Sequence, residues 1–219
     1  MTRVLVLAIC ASLLVGCGIA TPLIQDTRNR APLSAPTGNV THYRLLPEES
    51  KAIFVAREHY LKPEPRLDNV IGVTTALTGT IELNPQQPAD VRMSTISVNL
   101  FALDMQNDEL EEVLRYLYLQ SDLFPIASFT PRHYTGLPAI CTGNEELTFT
   151  ITGDLNIRAI SQEITFAVTA RIENNQLRGM ATAQVPMTTF GVEPPNKVGI
   201  SWVEDEVTIQ LKFVAAPDS

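Results

Sequence analysis

The chain has 219 residues, with 16 Lys and Arg against 24 Asp and Glu for a net charge of −8, and 45% apolar residues. That length favours one core domain with appendages, and the low share of charged residues beside this apolar content argues against disorder throughout. An acidic chain with no basic run lacks the electrostatic footprint of a nucleic-acid binder, no run of about 18 apolar residues offers a membrane-spanning helix, and three cysteines is an odd number that asks for a reason.

The reason begins at the N-terminus. Arg3 precedes an apolar run from Val4 to Val15, the length of a secretory signal core and too short to cross a bilayer. The run ends in Leu14-Val15-Gly16-Cys17. This resembles a bacterial lipobox, the signal of exported lipoproteins, in which the Cys is acylated and becomes the new N-terminus; the alternative is an ordinary signal peptide with an incidental Cys. The resemblance implies a signal peptide over residues 1–16, an acyl anchor at Cys17, and residence in a bacterial cell envelope, facing the periplasm or the outside. Cys10 is then discarded and Cys141 is the one thiol left, so no intramolecular disulfide can form. Acyl chains hold a protein to a membrane because each buried methylene contributes about 0.8 kcal/mol.

Residues 17–40 contain Pro22, Pro32 and Pro36 among scattered polar residues without an apolar period, and read as an extended tether. From residue 41 to 219 the dominant signal is alternation with period two, the mark of strands with one buried face. Strands are expected at Thr41 to Leu46 and through Ser50 to Tyr60, whose inward face the pattern leaves open. Weaker alternation follows at Leu77, Gly79, Ile81 and Leu83, and again at Ile96, Val98 and Leu100. Asp108 to Gln120 departs from it: Leu110, Val113, Leu114, Leu117 and Tyr118 recur at spacings of three and four behind an acidic first turn, which predicts an amphipathic helix or two short turns stopped by Pro125. Strands resume at Ile126 to Tyr134 and at Leu147, Phe149 and Ile151, running on after Gly153 to Leu155 and Ile157. The cleanest alternation spans Ile164 to Ile172, Leu177 to Val185 and Val207 to Phe213, with hairpin chemistry at Asn174-Asn175-Gln176. Eight or nine strands spaced by turn signals suggest a sandwich or barrel.

The order of features resembles the YceI-like family of lipocalin-like barrels. Gly72 and Gly79 stand seven apart before Thr80-Ile81-Glu82-Leu83. Asp108 and Leu110 open the helical segment that leads to Phe124-Pro125-Ile126-Ala127-Ser128-Phe129. Thr152-Gly153-Asp154-Leu155-Asn156-Ile157-Arg158, the pair Phe190-Gly191 and the strand Val207-Thr208-Ile209 follow in family order. Three positions depart from the family: Thr74 replaces an aromatic, Ala159 a glycine and Met187 an arginine. The resemblance implies a mainly β fold, an antiparallel lipocalin-like barrel of about eight strands with one short helical segment. It also implies an elongated cavity for a long-chain isoprenoid, quinone or similar amphiphile.

Physical reasoning alone leaves the interior open, because an eight-stranded barrel can be filled by side chains or hold one small ligand. Gly179, Ala181 and Ala183 on an inward face either leave volume for a ligand or sit opposite bulky neighbours. Candidate pocket residues are Phe54, Leu77, Ile81, Val98, Phe149, Phe166, Val168, Ala181 and Ile209. Nothing points to a cofactor or a metal: His42, His59 and His133 lie far apart without ligand spacing. No catalytic motif is visible, the acidic group Asp108, Glu109, Glu111 and Glu112 reads as a solvated helix start, and Trp202 reads as a plug at the barrel end. The expectation is therefore a lipid-anchored barrel without a catalytic step that binds or carries an amphiphilic lipid. The alternatives are a packed barrel serving as an interaction module through loops such as Lys62 to Asn69 and Gly136 to Glu145, and an enzyme acting on the lipid. Homodimerisation is left open.

Overall fold

The computed structural model describes residues 40–141 and 145–218. The expected signal segment, Cys17, all but the last residue of the expected tether, and Thr142, Gly143 and Asn144 lie outside the described residues.

The strands are β1 (Thr41–Leu45), β2 (Lys51–Tyr60), β3 (Arg66–Thr74), β4 (Leu77–Thr78), β5 (Thr80–Leu83), β6 (Arg92–Met93), β7 (Ile96–Asn99), β8 (Ile126–Thr135), β9 (Leu147–Ile157), β10 (Ile160–Glu173), β11 (Gln176–Pro186), β12 (Asn196–Lys197), β13 (Ser201–Val203) and β14 (Glu206–Pro217). Fourteen strands exceed the eight or nine expected, and the ladders show why. β1 and β2 follow one another along the same edge of β14, opposite Ala215 to Pro217 and Thr208 to Lys212 respectively. β3 pairs with β2 and β5 with β1, so residues 66–83 form one broken stave beside another. β6 and β7 pair with β5 and β4, and β13 continues the edge of β14 along β2. The ladders β7 to β8, β8 to β9, β9 to β10, β10 to β11 and β11 to β14 complete an antiparallel barrel of eight staves, with β12 added outside β13. Local breaks in pairing divide staves into strands, and β3 was not expected: it takes residues 66–69 of the loop expected at Lys62 to Asn69 and pairs them with β2.

One break is secured by Ser50. This buried hydroxyl accepts from the Val214 amide at 3.0 Å and donates to the Val214 carbonyl at 3.2 Å. Leu46 also donates to that carbonyl at 2.8 Å. The backbone groups freed where β1 turns into β2 are thereby satisfied without water.

The three clean alternations hold in the structure. Phe166, Val168 and Ala170 of β10, with Leu177, Ala181 and Ala183 of β11, are buried in the main core, and Val185 is buried beside Leu155 and Phe190. Asn174 and Asn175 adopt φ of 51° and 63°, the mirror-image turn that suits a two-residue hairpin, and asparagine tolerates it well. The β9–β10 hairpin uses the same conformation at Arg158 and Ala159, with φ of 53° and 61°.

Of the two readings of the helical segment, the structure takes the pair of short pieces: an α-helix Asp108–Val113, capped by the Asn107 side chain, passes into a π-helical turn Leu114–Tyr118. It ends well before Pro125, at Gln120 with φ of 48°. Leu110, Val113 and Leu117 are exposed, so the segment has no second layer to bury that face against. Arg115 secures it, donating to the carbonyls of Phe101 at 2.9 Å and Leu103 at 3.4 Å and pairing with Glu111 at 2.9 Å.

Candidate ligand cavity

The barrel encloses a cavity of about 310 Å³. That lies at the lower end of the roughly 300–1,000 Å³ usual for small-molecule sites. Its wall is drawn from nearly every stave and from Leu114, Tyr118 and Leu119 of the helical segment, and among the described residues it includes no charged side chain.

The lumen stays open because large rings lie against glycines. Phe54 faces Gly72 across the β2–β3 ladder, and Phe213 faces Gly179 across β11–β14. A β-carbon on Gly179 would come within 2.6 Å of Phe213 Cζ, and one on Gly153 within 2.9 Å of Phe129 Cζ. Each ring therefore lies over the neighbouring backbone, not across the lumen. Ala181 and Ala183 likewise stand opposite Leu211 and Ile209. Small residues on β11 thus make room for bulky ones on β14, and Ala181 also reaches the cavity.

Phe54, Ile81, Val98, Phe149, Phe166, Val168, Ala181 and Ile209 all lie on the cavity wall. Leu77 does not; at 2% exposure it is packed in the surrounding core. Phe166 and Phe129 meet edge to face, their centroids 4.9 Å apart, a favourable arrangement for two aromatic quadrupoles. The wall also includes residues that the sequence analysis did not assign to the pocket, among them Thr74, Met93, Tyr134 and Phe190. Phe190 is held by a short 3-10 turn that Gly191 closes with φ of 67°, which accounts for the glycine of the Phe-Gly pair.

Burial shifts two of the ionisable groups on the wall, Tyr134 and Cys141. Burial pushes the Tyr134 phenol up, partly countered by its hydrogen bond to the Met93 backbone. Burial also raises the Cys141 thiol, with the Glu145 charge adding to the effect, so the thiol is held protonated and inert.

Trp202 is not a plug. It is 40% exposed on the outside of β13, stacked on His59 with centroids 4.1 Å apart, while its neighbours Ser201 and Val203 turn inward. His59 contacts Glu204 at 2.6 Å, and Arg57 pairs with the same carboxylate at 3.2 Å. Among the described residues no three His, Cys, Asp or Glu side chains gather as metal ligands.

Eight antiparallel staves around an apolar lumen define a lipocalin-like β-barrel with a ligand-sized cavity. The chain belongs to the YceI-like family, matching the YceI-like domain over residues 43–215. No curated protein matches it by sequence. Among solved structures it is similar to Burkholderia cenocepacia BcnA, with 18% identity over 78% of this chain and 99% of that one and a TM-score of 0.62. A polyisoprenoid-binding domain from Saccharophagus degradans, implicated in plant cell wall breakdown, shares 10% identity over 82% and 100% of the two chains, with a TM-score of 0.59. The YceI protein of Campylobacter jejuni shares 13% identity over 70% and 88%, with a TM-score of 0.56. At these identities the likeness is one of fold.

Proposed function

We propose that the protein is an exported, lipid-anchored binding protein that holds or carries an amphiphilic lipid of polyisoprenoid or quinone type in its barrel. The observation that carries this reading is the apolar cavity of about 310 Å³ with no charged side chain on its wall among the described residues. Such a lumen favours a hydrocarbon chain, since burial yields roughly 25 cal/mol per Å² of apolar surface removed from water. Ligand contact is assigned to Phe54, Ile81, Val98, Phe149, Phe166, Val168, Ala181 and Ile209. The polyisoprenoid-binding neighbour supports the choice of ligand class. Binding by shape and apolar burial needs no catalytic step, and the protein is read as a carrier or store and not as an enzyme. Acylation of Cys17 would keep the barrel at a membrane surface of the cell envelope, where such ligands reside.

Organic extraction and mass spectrometry of the full chain carrying Cys17→Ser, purified without detergent, tests this reading. A stoichiometric prenyl lipid or quinone is expected; protein that carries no lipid and takes up none from prenol or quinone suspensions would overturn it.

A further inference from the structure

At one hairpin of the barrel a guanidinium lacks a counter-charge. Arg158, in the β9–β10 turn, donates from Nη1 to the Gly191 carbonyl at 2.5 Å and from Nη2 to Gln120 Oε1 at 3.0 Å. Both acceptors are neutral, and Arg158 forms no ion pair among the described residues. Its Nε is shielded from solvent and has no hydrogen-bond partner; the same holds for Oγ of Ser121, a residue 0% exposed and next in sequence to Gln120. Two polar groups hidden from water without partners, one on Arg158 and one on the residue that follows its acceptor Gln120, ask for a reason, because buried donors and acceptors are nearly always satisfied.

The guanidinium also ties together three segments that each contribute to the cavity wall. Ile157 precedes Arg158, Leu119 precedes Gln120, and Phe190 and Val192 flank Gly191; all four line the cavity. The cation is thus fixed where three parts of the apolar wall meet. A guanidinium prefers planar, multidentate oxyanion partners, and a half-buried cation with a shielded, unpaired N–H favours an anionic ligand over a neutral one.

We propose that Arg158, with Ser121, forms a headgroup site that takes the oxyanion of an amphiphile, a phosphate or carboxylate, whose apolar tail lies in the barrel. This rests on the reading of the cavity as a lipid site and adds that the preferred ligand carries negative charge at one end. Nε–H and the remaining Nη hydrogens supply donors to the oxyanion, and the Ser121 hydroxyl supplies one more.

The test measures calorimetric affinities of the full chain carrying Cys17→Ser for farnesyl monophosphate, farnesol and inorganic phosphate. The expected result is that farnesyl monophosphate binds at least tenfold tighter than farnesol. That ratio should fall towards one in Arg158→Gln, be partly retained in Arg158→Lys and drop several-fold in Ser121→Ala. Inorganic phosphate alone should bind far more weakly than farnesyl monophosphate. Equal affinity for farnesol and farnesyl monophosphate in the parent chain, or a ratio unmoved by Arg158→Gln, overturns the headgroup site while leaving the lipid cavity standing. Inorganic phosphate binding as tightly as farnesyl monophosphate overturns it too, since the tail would then contribute nothing. Binding of neither farnesol nor farnesyl monophosphate defeats the lipid cavity and the headgroup site together.

Discussion

Phe54 of β2 lies with its ring over Gly72 of β3, so that a β-carbon added to the glycine would stand 2.8 Å from both Cδ1 and Cζ of the ring. The three atoms nearest to such a β-carbon all belong to this one side chain, which can swing inward. At Gly179 the added atom would also meet the Thr169 carbonyl oxygen and, at 3.0 Å, the Ala170 Cα, neither of which can move without shifting β10. Gly179→Ala is therefore expected to cost about 1–3 kcal/mol, the range for overpacking a tight interior. Gly72→Ala should cost less but drive the Phe54 ring into the lumen and weaken ligand binding. Urea denaturation of both variants, with binding measured alongside, separates the two effects.

Ala159 occupies a position where the family commonly has glycine, and its φ of 61° explains that preference. A side chain in the left-handed region costs roughly 1–2 kcal/mol relative to the ordinary helical one. Ala159→Gly should recover part of this and stabilise the chain by about 0.5–1 kcal/mol, the entropy of the more flexible unfolded glycine offsetting some of the gain. A higher urea midpoint with an unchanged slope is the expected result.

Alkaline pH should weaken the fold through three buried protons. Burial raises Tyr43, Tyr134 and Cys141 above their ordinary values of 10.0 for the phenols and 9.0 for the thiol. The folded chain then keeps these protons at a pH where the unfolded chain releases them. Their contribution is whole below the ordinary thiol range and is lost as pH rises through the raised values. Urea midpoints should be level up to about pH 8 and fall above it, with Cys141→Ala delaying the onset.

Cys17→Ser should move the protein from the membrane to the soluble fraction of the cells that produce it. Variant protein that stays on membranes at the parent level contradicts acylation at Cys17.

Sequence periodicity revealed the staves because strands with one buried face alternate with period two. It revealed least where function concentrates. The nearly uniform apolar run around Ile53, Phe54 and Val55 gave no inward face, and in the structure all three are half-buried, with the adjacent Ile53 and Phe54 both on the cavity wall. The spacing of Leu110, Val113 and Leu117 promised a buried helical face, yet these residues are exposed and only Leu114 and Tyr118 of that pattern reach the cavity. Leu77 shares the alternation of its neighbours but meets core side chains and not the lumen. The pairing of large rings with small residues on adjacent strands depends on register, which a single sequence does not display. Arg158 was visible only as the last residue of the segment Thr152 to Arg158; its neutral partners come from residues 38 and 33 positions away.

The central claim is that the barrel is hollow and takes a lipid tail. The most direct measurement is native mass spectrometry of the full chain carrying Cys17→Ser after exposure to farnesol and to a short-chain quinone, beside the same chain with Ala181→Leu. Leucine at 181 projects extra volume from the wall into the lumen without adding charge. One ligand per chain is expected for the parent, with a marked loss of occupancy for a variant that remains folded. Equal occupancy in both, or none in the parent, would contradict the central claim.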